Sequence, residues 1–108
     1  MSSATTDHWA NVIIGAQKAA NASLLLDVAR DLNARGSARG MGLRAAALGF
    51  ADEIQRNFDS ALEHFQHSLA LRDELGEEIL MLVLLSVGNI HVLTGHNLGA
   101  LDAWQQLL

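Results

Sequence analysis

A chain of 108 residues has room for one small domain with one core. Half of its residues are apolar but only five are aromatic, and it has neither proline nor cysteine, which excludes a disulfide framework and thiolate metal sites and suits a reducing compartment. The net charge of -5 is unevenly spread, with five basic and three acidic groups in residues 1–50 and two basic and nine acidic groups in residues 51–108, so a phosphate backbone would be repelled and nucleic acid is not an expected partner.

The N-terminal MSSATTDHW has neither the basic region nor the apolar stretch of a secretory signal, and a cytoplasmic location is expected. A first helix is predicted from Asp7, as N-cap, through Trp9, Val12, Ile13, Ala16, Ala19 and Ala20, at the three- and four-residue spacings of one face. A second opens near Ser23 and carries Leu24, Leu25, Val28, Ala29 and Leu32 to a C-terminal cap at Gly36. A turn at 21–22 separates the two, a single long helix being the alternative. The glycine-rich GSARGMG of residues 36–42 predicts a loop or a frayed helix start, since each glycine costs a helix interior ~1 kcal/mol relative to alanine.

The third helix is expected from Met41 to about Gln55 through Leu43, Ala46, Ala47, Phe50 and Ile54, with a turn at Arg56 and Asn57. The fourth carries Phe58, Ala61, Leu62, Phe65 and Leu69 as far as Leu75, with Ser60 and Glu63 at capping-box spacing near its start. Gly76 ends it, Glu77 and Glu78 place negative charge at the N-terminus of the fifth, and Thr94 and Gly95 stop that helix before a last one from Asn97 to the terminus. Residues 79–93 are too short for a bilayer, which needs ~20 apolar residues, and they contain Ser86, Asn89 and His91, so a buried helix is expected and no membrane span. The prediction is all-α, five or six helices joined by short connections and packed as antiparallel hairpins.

Self-similarity carries the most information. Leu48, Gly49, Ala61 and Phe65 reappear as Val87, Gly88, Ala100 and Trp104, each 39 residues later. Two helices of a hairpin approach closely only where small residues face each other, and a large residue then fills the gap toward the next hairpin. On these residues the segment LGFADEIQRNFDSALEHFQHSLALRDELG resembles a tetratricopeptide repeat of the long-unit variety, and VGNIHVLTGHNLGALDAWQQLL resembles most of a following one. The family's signature positions would fall on Ala45, Leu48, Gly49, Asp52, Ala61, Phe65 and Ser68, then on Leu84, Val87, Gly88, His91, Ala100, Trp104 and Leu107. The sequence departs from the family at Asp52 and His91, where an aromatic is usual, at Ser68, and in lacking proline between units. The resemblance implies a short solenoid of stacked hairpins: residues 1–36 as a hairpin or degenerate unit with Ser23 and Leu24 standing where Ser60 and Ala61 stand later, 37–76 as one repeat, and 77–108 as a second without a capping helix.

It further implies a protein-interaction module whose groove, lined by the first helix of each hairpin, exposes Leu43, Ala46, Phe50 and Glu53, then Leu82, Leu85, Asn89 and Val92. Only Asn89 suits an acidic peptide terminus, so an amphipathic helix is the natural ligand, with packing between hairpins as the plainer account of Leu43, Leu82 and Leu85. Residues 79–85 are apolar without interruption and cannot all face their own hairpin. Three outward side chains would return ~4 to 9 kcal/mol on burial against ~4 to 15 kcal/mol for association. With a helix expected to run into Leu107 and Leu108, the open last face suggests that the chain is the N-terminal part of a larger regulatory or signalling protein, or that it forms a homodimer. A peptide- or small-ligand-sensing domain is the third expectation.

His64 and His67 beside Glu63 lack a third ligand, so neither metal nor cofactor is expected, and the three are read as a solvated face. His91 is read as a buried, hydrogen-bonded core histidine, and His8 and His96 as helix-end residues. Asp52, Glu53 and Asp59, and Asp73, Glu74, Glu77 and Glu78, are read as solvated faces and helix ends rather than acid–base pairs. No phosphate loop or nucleophile elbow is present, and no enzyme is expected.

Overall fold

The computed structural model describes residues 2–33 and 36–107; Met1, Ala34, Arg35 and Leu108, on which part of the expected turn before Gly36 and the final leucine fall, lie outside the described residues. Six helices follow in order: α1 (Ser2–Lys18), α2 (Ala22–Asn33), α3 (Ala38–Ile54), α4 (Phe58–Ala70), α5 (Glu77–Leu93) and α6 (Asn97–Gln105), with a 3-10 turn at Arg72–Glu74 between α4 and α5. No strand occurs among the described residues.

Three hairpins, α1–α2, α3–α4 and α5–α6, are closed by the same turn. The Asn21 amide donates to the Ala16 carbonyl (2.9 Å), Asn57 to Asp52 (2.8 Å) and His96 to His91 (2.6 Å), and the preceding residue in each case donates to Gln17, Glu53 or Val92. This six-to-one and five-to-two pair satisfies the last carbonyls of a helix and demands a left-handed residue between them. Ala20 (φ 54), Arg56 (φ 64) and Gly95 (φ 83) take that conformation. The strides between turns are 36 and then 39 residues; one of the extra residues lies in α4, which is longer than α2, and two lie in the connection before α5, which contains the 3-10 turn.

The bonds also fix the register. Leu25, Ala61 and Ala100 donate to Asn21, Asn57 and His96, so Leu25 and not Leu24 stands where Ala61 stands, one residue from the expected alignment. Leu25 is fully buried while Leu24 is 38% exposed. Position 49 of the second hairpin is then matched by Ile13 in the first, and position 65 by Ala29. The first hairpin therefore puts its large residue on the first helix and its small one on the second, both buried, with summed volume kept roughly constant.

Helix α3 is central, touching α1, α2, α4 and α5. Its buried residues are mostly small: Gly40, Gly42, Ala45, Ala46, Ala47, Gly49 and Ala51 beside Leu43 and Phe50. The expected loop at 36–42 is largely helix, because Ser37 caps α3 by accepting a bond from the Gly40 amide (2.9 Å). Gly42 is needed for approach, since a Cβ there would meet Leu75 Cδ2 at 3.0 Å and Leu71 Cβ at 3.3 Å. Other boundaries also differ from expectation. Helix α1 begins before Asp7, there being no breaker in residues 2–6. Helix α4 stops at Ala70, and the 3-10 turn delivers Leu75 into the core. Asn57 precedes α4 without a side-chain cap bond, so Ser60 and Glu63 form no capping box. Helix α6 ends at Gln105.

Replacing Gly49 with alanine would place Cβ 2.5 Å from Phe65 Cδ1 and Cε1. Phe65 is fully buried and held edge-to-face by Phe50, centroids 5.3 Å apart. Gly49→Ala is expected to destabilise by about 1–3 kcal/mol from overpacking, outweighing the ~1 kcal/mol gained in helix propensity. Gly88→Ala meets the Trp104 ring, but Trp104 is only half-buried and can swing outward, so its loss is smaller. Thermal unfolding followed by circular dichroism checks the order; equal losses would contradict it. By the same method Ala20→Gly is expected to raise Tm, since it removes a left-handed strain of ~1–2 kcal/mol against a smaller unfolded-state entropy cost.

Candidate interaction surface

The residues expected to line a groove separate into two sets. Leu43, Ala46 and Phe50 are fully buried, and this corrects the expectation that they are exposed: α3 is enclosed by four neighbouring helices, and these side chains belong to the core, Phe50 against Phe65 of its own hairpin. Glu53 is half-buried at the α3–α5 contact, where it receives a hydrogen bond from Ser86. Burial raises the Glu53 pKa above the ordinary carboxylate range, and the Ser86 hydroxyl partly opposes that.

On α5 the matching positions emerge at the surface. Leu85 is 42% and Val92 45% exposed, with Asn89 open and Leu82 half-buried, and Met81, not anticipated, is 50% exposed. One stride earlier these positions are Gly42, Ala46 and Glu53 for Met81, Leu85 and Val92. Gly42 is covered by Leu71 and Leu75 and Glu53 faces Ser86, so the chain following α4 closes over both ends of the row on α3, and Ala46 between them is fully buried. Among the described residues nothing equivalent covers the row on α5. Of the uninterrupted apolar run 79–85, Ile79, Val83 and Leu84 are buried and Met81 and Leu85 are exposed. Helix α6 adds Leu98 and Leu101, also strongly exposed, Leu98 standing one stride after the exposed Asp59.

The remaining polar constellations are braces. Asp52 Oδ2 accepts from Ser60 Oγ (2.7 Å) and from His64 Nδ1 (2.7 Å), tying α3 to α4 where the resemblance implies an aromatic. Asp52 and His64 are thus an inter-helix link rather than members of solvated faces. Both donors address one carboxylate oxygen, and the Ser60 proton points at Asp52 instead of at a histidine nitrogen, so the three do not form a nucleophile–base pair. His91 is half-buried, its ring in the space Gly99 leaves open, where a Cβ would lie 2.9 Å from His91 Cγ. Its Nδ1 has no hydrogen-bond partner, which corrects the expectation of a hydrogen-bonded core histidine; its contacts are steric, with the His96 ring edge-to-face at 5.9 Å.

Among the described residues no three His, Cys, Asp or Glu side chains are grouped to hold a metal ion, and no helix is long and apolar enough to cross a membrane. No family model, curated protein or solved structure matches the chain.

The raised Glu53 pKa has a definite sign in stability. The native state holds the Glu53 proton more tightly than the unfolded chain, so this group's contribution falls as pH rises from about 4.3, the ordinary glutamate value, through the raised one, and the penalty persists above it. Glu53→Gln keeps a hydrogen-bonding group beside Ser86 and removes the charge. It is expected to be at least as stable as the parent at neutral pH and to lose this part of the pH dependence. Urea unfolding over a pH series measures both, and a variant destabilised at every pH would contradict the assignment.

Proposed function

We propose that the chain is a protein-interaction module, a short stack of helical hairpins of the tetratricopeptide type, that receives an amphipathic helix on the outer face of α5. Three hairpins closed by one turn support the stack, as do Gly49 lying against Phe65 and Gly88 against Trp104 one stride apart. The observation that carries the function is the row of Met81, Leu85 and Val92, exposed on α5 at positions buried or half-buried on α3. With Leu82, Asn89 and Leu93 it occupies an arc of about 120° at 100° per residue, the width of one face of a docked helix.

Magnitudes bear on the occupant. Four apolar side chains, Met81, Leu85, Val92 and Leu93, each about half exposed, would return roughly 3–6 kcal/mol on full burial, near the lower end of the ~4–15 kcal/mol association cost. The apolar side of a docked helix adds a comparable gain for the same association cost. A second copy meeting the same face about a two-fold axis likewise buries apolar surface on both sides, and homodimerisation is the second reading. The acidic second half of the chain favours a heterologous helix with lysine on its polar side.

Leu85→Asp places a charge at the centre of the row without touching the core. It is expected to leave the circular dichroism spectrum and Tm nearly unchanged while weakening, by about tenfold or more, both self-association in sedimentation and binding of a labelled leucine–lysine amphipathic peptide. A parent that stays monomeric at high concentration but binds the peptide selects the heterologous reading; unchanged behaviour of Leu85→Asp in both assays defeats the proposal.

A further inference from the structure

A second surface is unrelated to the α5 face. Over α3, between the C-terminal parts of α2 and α4, lies a cleft of about 380 Å³ walled by Leu32, Met41, Ala45 and Leu71, with Arg44 and His67 also lining it. Arg44 lines an adjoining cleft of about 340 Å³ as well, with Leu26, Leu48 and Arg30. Among the described residues no carboxylate lines either cleft, although the chain has 12 acidic side chains against seven lysines and arginines. Arg44 Nε is buried without a hydrogen-bond partner. A guanidinium in a mainly apolar furrow, short of an acceptor, is costly, because desolvation of a charged donor is offset only by charge-assisted hydrogen bonds.

We propose that the cleft between α2 and α4 binds a small organic carboxylate, its apolar body against Leu32, Met41, Ala45 and Leu71 and its carboxylate on Arg44, with the His67 ring as a second donor. Its volume falls in the range of small-molecule sites, which combine mostly apolar walls with a few convergent polar groups. Arginine matches a carboxylate by geometry as well as charge. Apolar walls disfavour inorganic phosphate, and the acidic chain as a whole disfavours polyanions. Met41, 56% exposed, is an unbranched side chain able to adapt to the ligand's apolar end. No residue of the cleft belongs to α5 or α6, so this site and the proposed docking face stand or fall separately.

Sodium octanoate is the probe, titrated into the full chain with amide resonances followed by NMR, with 1-octanol and acetate as controls for the apolar body alone and the carboxylate alone. Saturable octanoate binding is expected, with shifts centred on Gly36, Arg44, Ala45 and Leu71, at least about tenfold tighter than either control. Arg44→Gln is expected to reduce octanoate affinity to that of octanol, and Arg44→Lys to retain part of it. If Arg44→Gln does not fold, the octanoate-to-octanol ratio on the parent decides alone. Equal affinity for octanoate and octanol, shifts centred on Met81, Leu85 and Val92, or no saturable octanoate binding each overturns the proposal.

Discussion

The packing of α3 depends on how little side chain it carries. A helix touched by four others, at interaxial distances of ~8–10 Å, can be surrounded only if most of its buried positions are alanine or glycine, and those of α3 are. The large residues are then supplied by the partners: Phe65 of α4 lies on Gly49, and Leu71 and Leu75, after α4, lie on Gly42. Trp104 of α6 repeats the arrangement on Gly88 of α5, at the edge of the molecule. Each glycine lowers intrinsic helix stability by ~1 kcal/mol, and the contact it permits offsets that loss, so these helices depend on tertiary packing more than on propensity.

That dependence explains what was legible in the sequence. The all-helical class, five or six segments and the hairpin turns near Asn57 and Gly95 follow from periodicity and from turn-forming residues, with the turn at Asn21 left against one long helix, and the equivalence of Gly49 with Gly88 follows from the 39-residue stride. The glycines at 40 and 42 mislead, because propensity counts their cost and neither the Ser37 cap on the Gly40 amide nor the approach of Leu71 and Leu75 to Gly42 from about thirty residues away. The one-residue shift of the first hairpin was hidden for a similar reason. Ile13 and Ala29 exchange the sizes of Gly49 and Phe65, so identity matching loses the alignment, and only the turn bonds restore it.

The candidate surface was legible in part. The row at Leu82, Leu85, Asn89 and Val92 was located by position, but the same positions on α3 were expected to be equally open. Pattern gives the face of a helix and not what covers it. Leu43, Ala46 and Phe50 present the same face as Leu82, Leu85 and Asn89, and they differ only because helices close over α3 from several sides. The Asp52 brace was likewise invisible, since Ser60 and His64 meet one carboxylate oxygen only when eight- and twelve-residue separations are folded across a hairpin.

The two strides join their hairpins differently. Between α2 and α3 the connection is short, and α2 lies along α3 over much of its length; between α4 and α5 the 3-10 turn at Arg72–Glu74 intervenes, and α5 meets α3 and α4 over a smaller area. The inserted turn is held to the start of α3, where Arg39 Nη1 donates to the Glu74 carbonyl (2.8 Å). The contact between α3 and α5 includes a half-buried carboxylate, Glu53, beside the hydroxyl of Ser86, in place of a purely apolar seam. At 100° per residue Ser86 stands just beyond the edge of the face that Met81, Leu85 and Val92 form with Leu82, Asn89 and Leu93, so the polar contact with Glu53 borders the exposed apolar face of α5. The exposure of Met81, Leu85 and Val92 follows from what closes over α3 and is lacking on α5: Leu71 and Leu75 lie on Gly42, and among the described residues nothing lies on Met81 in the same way.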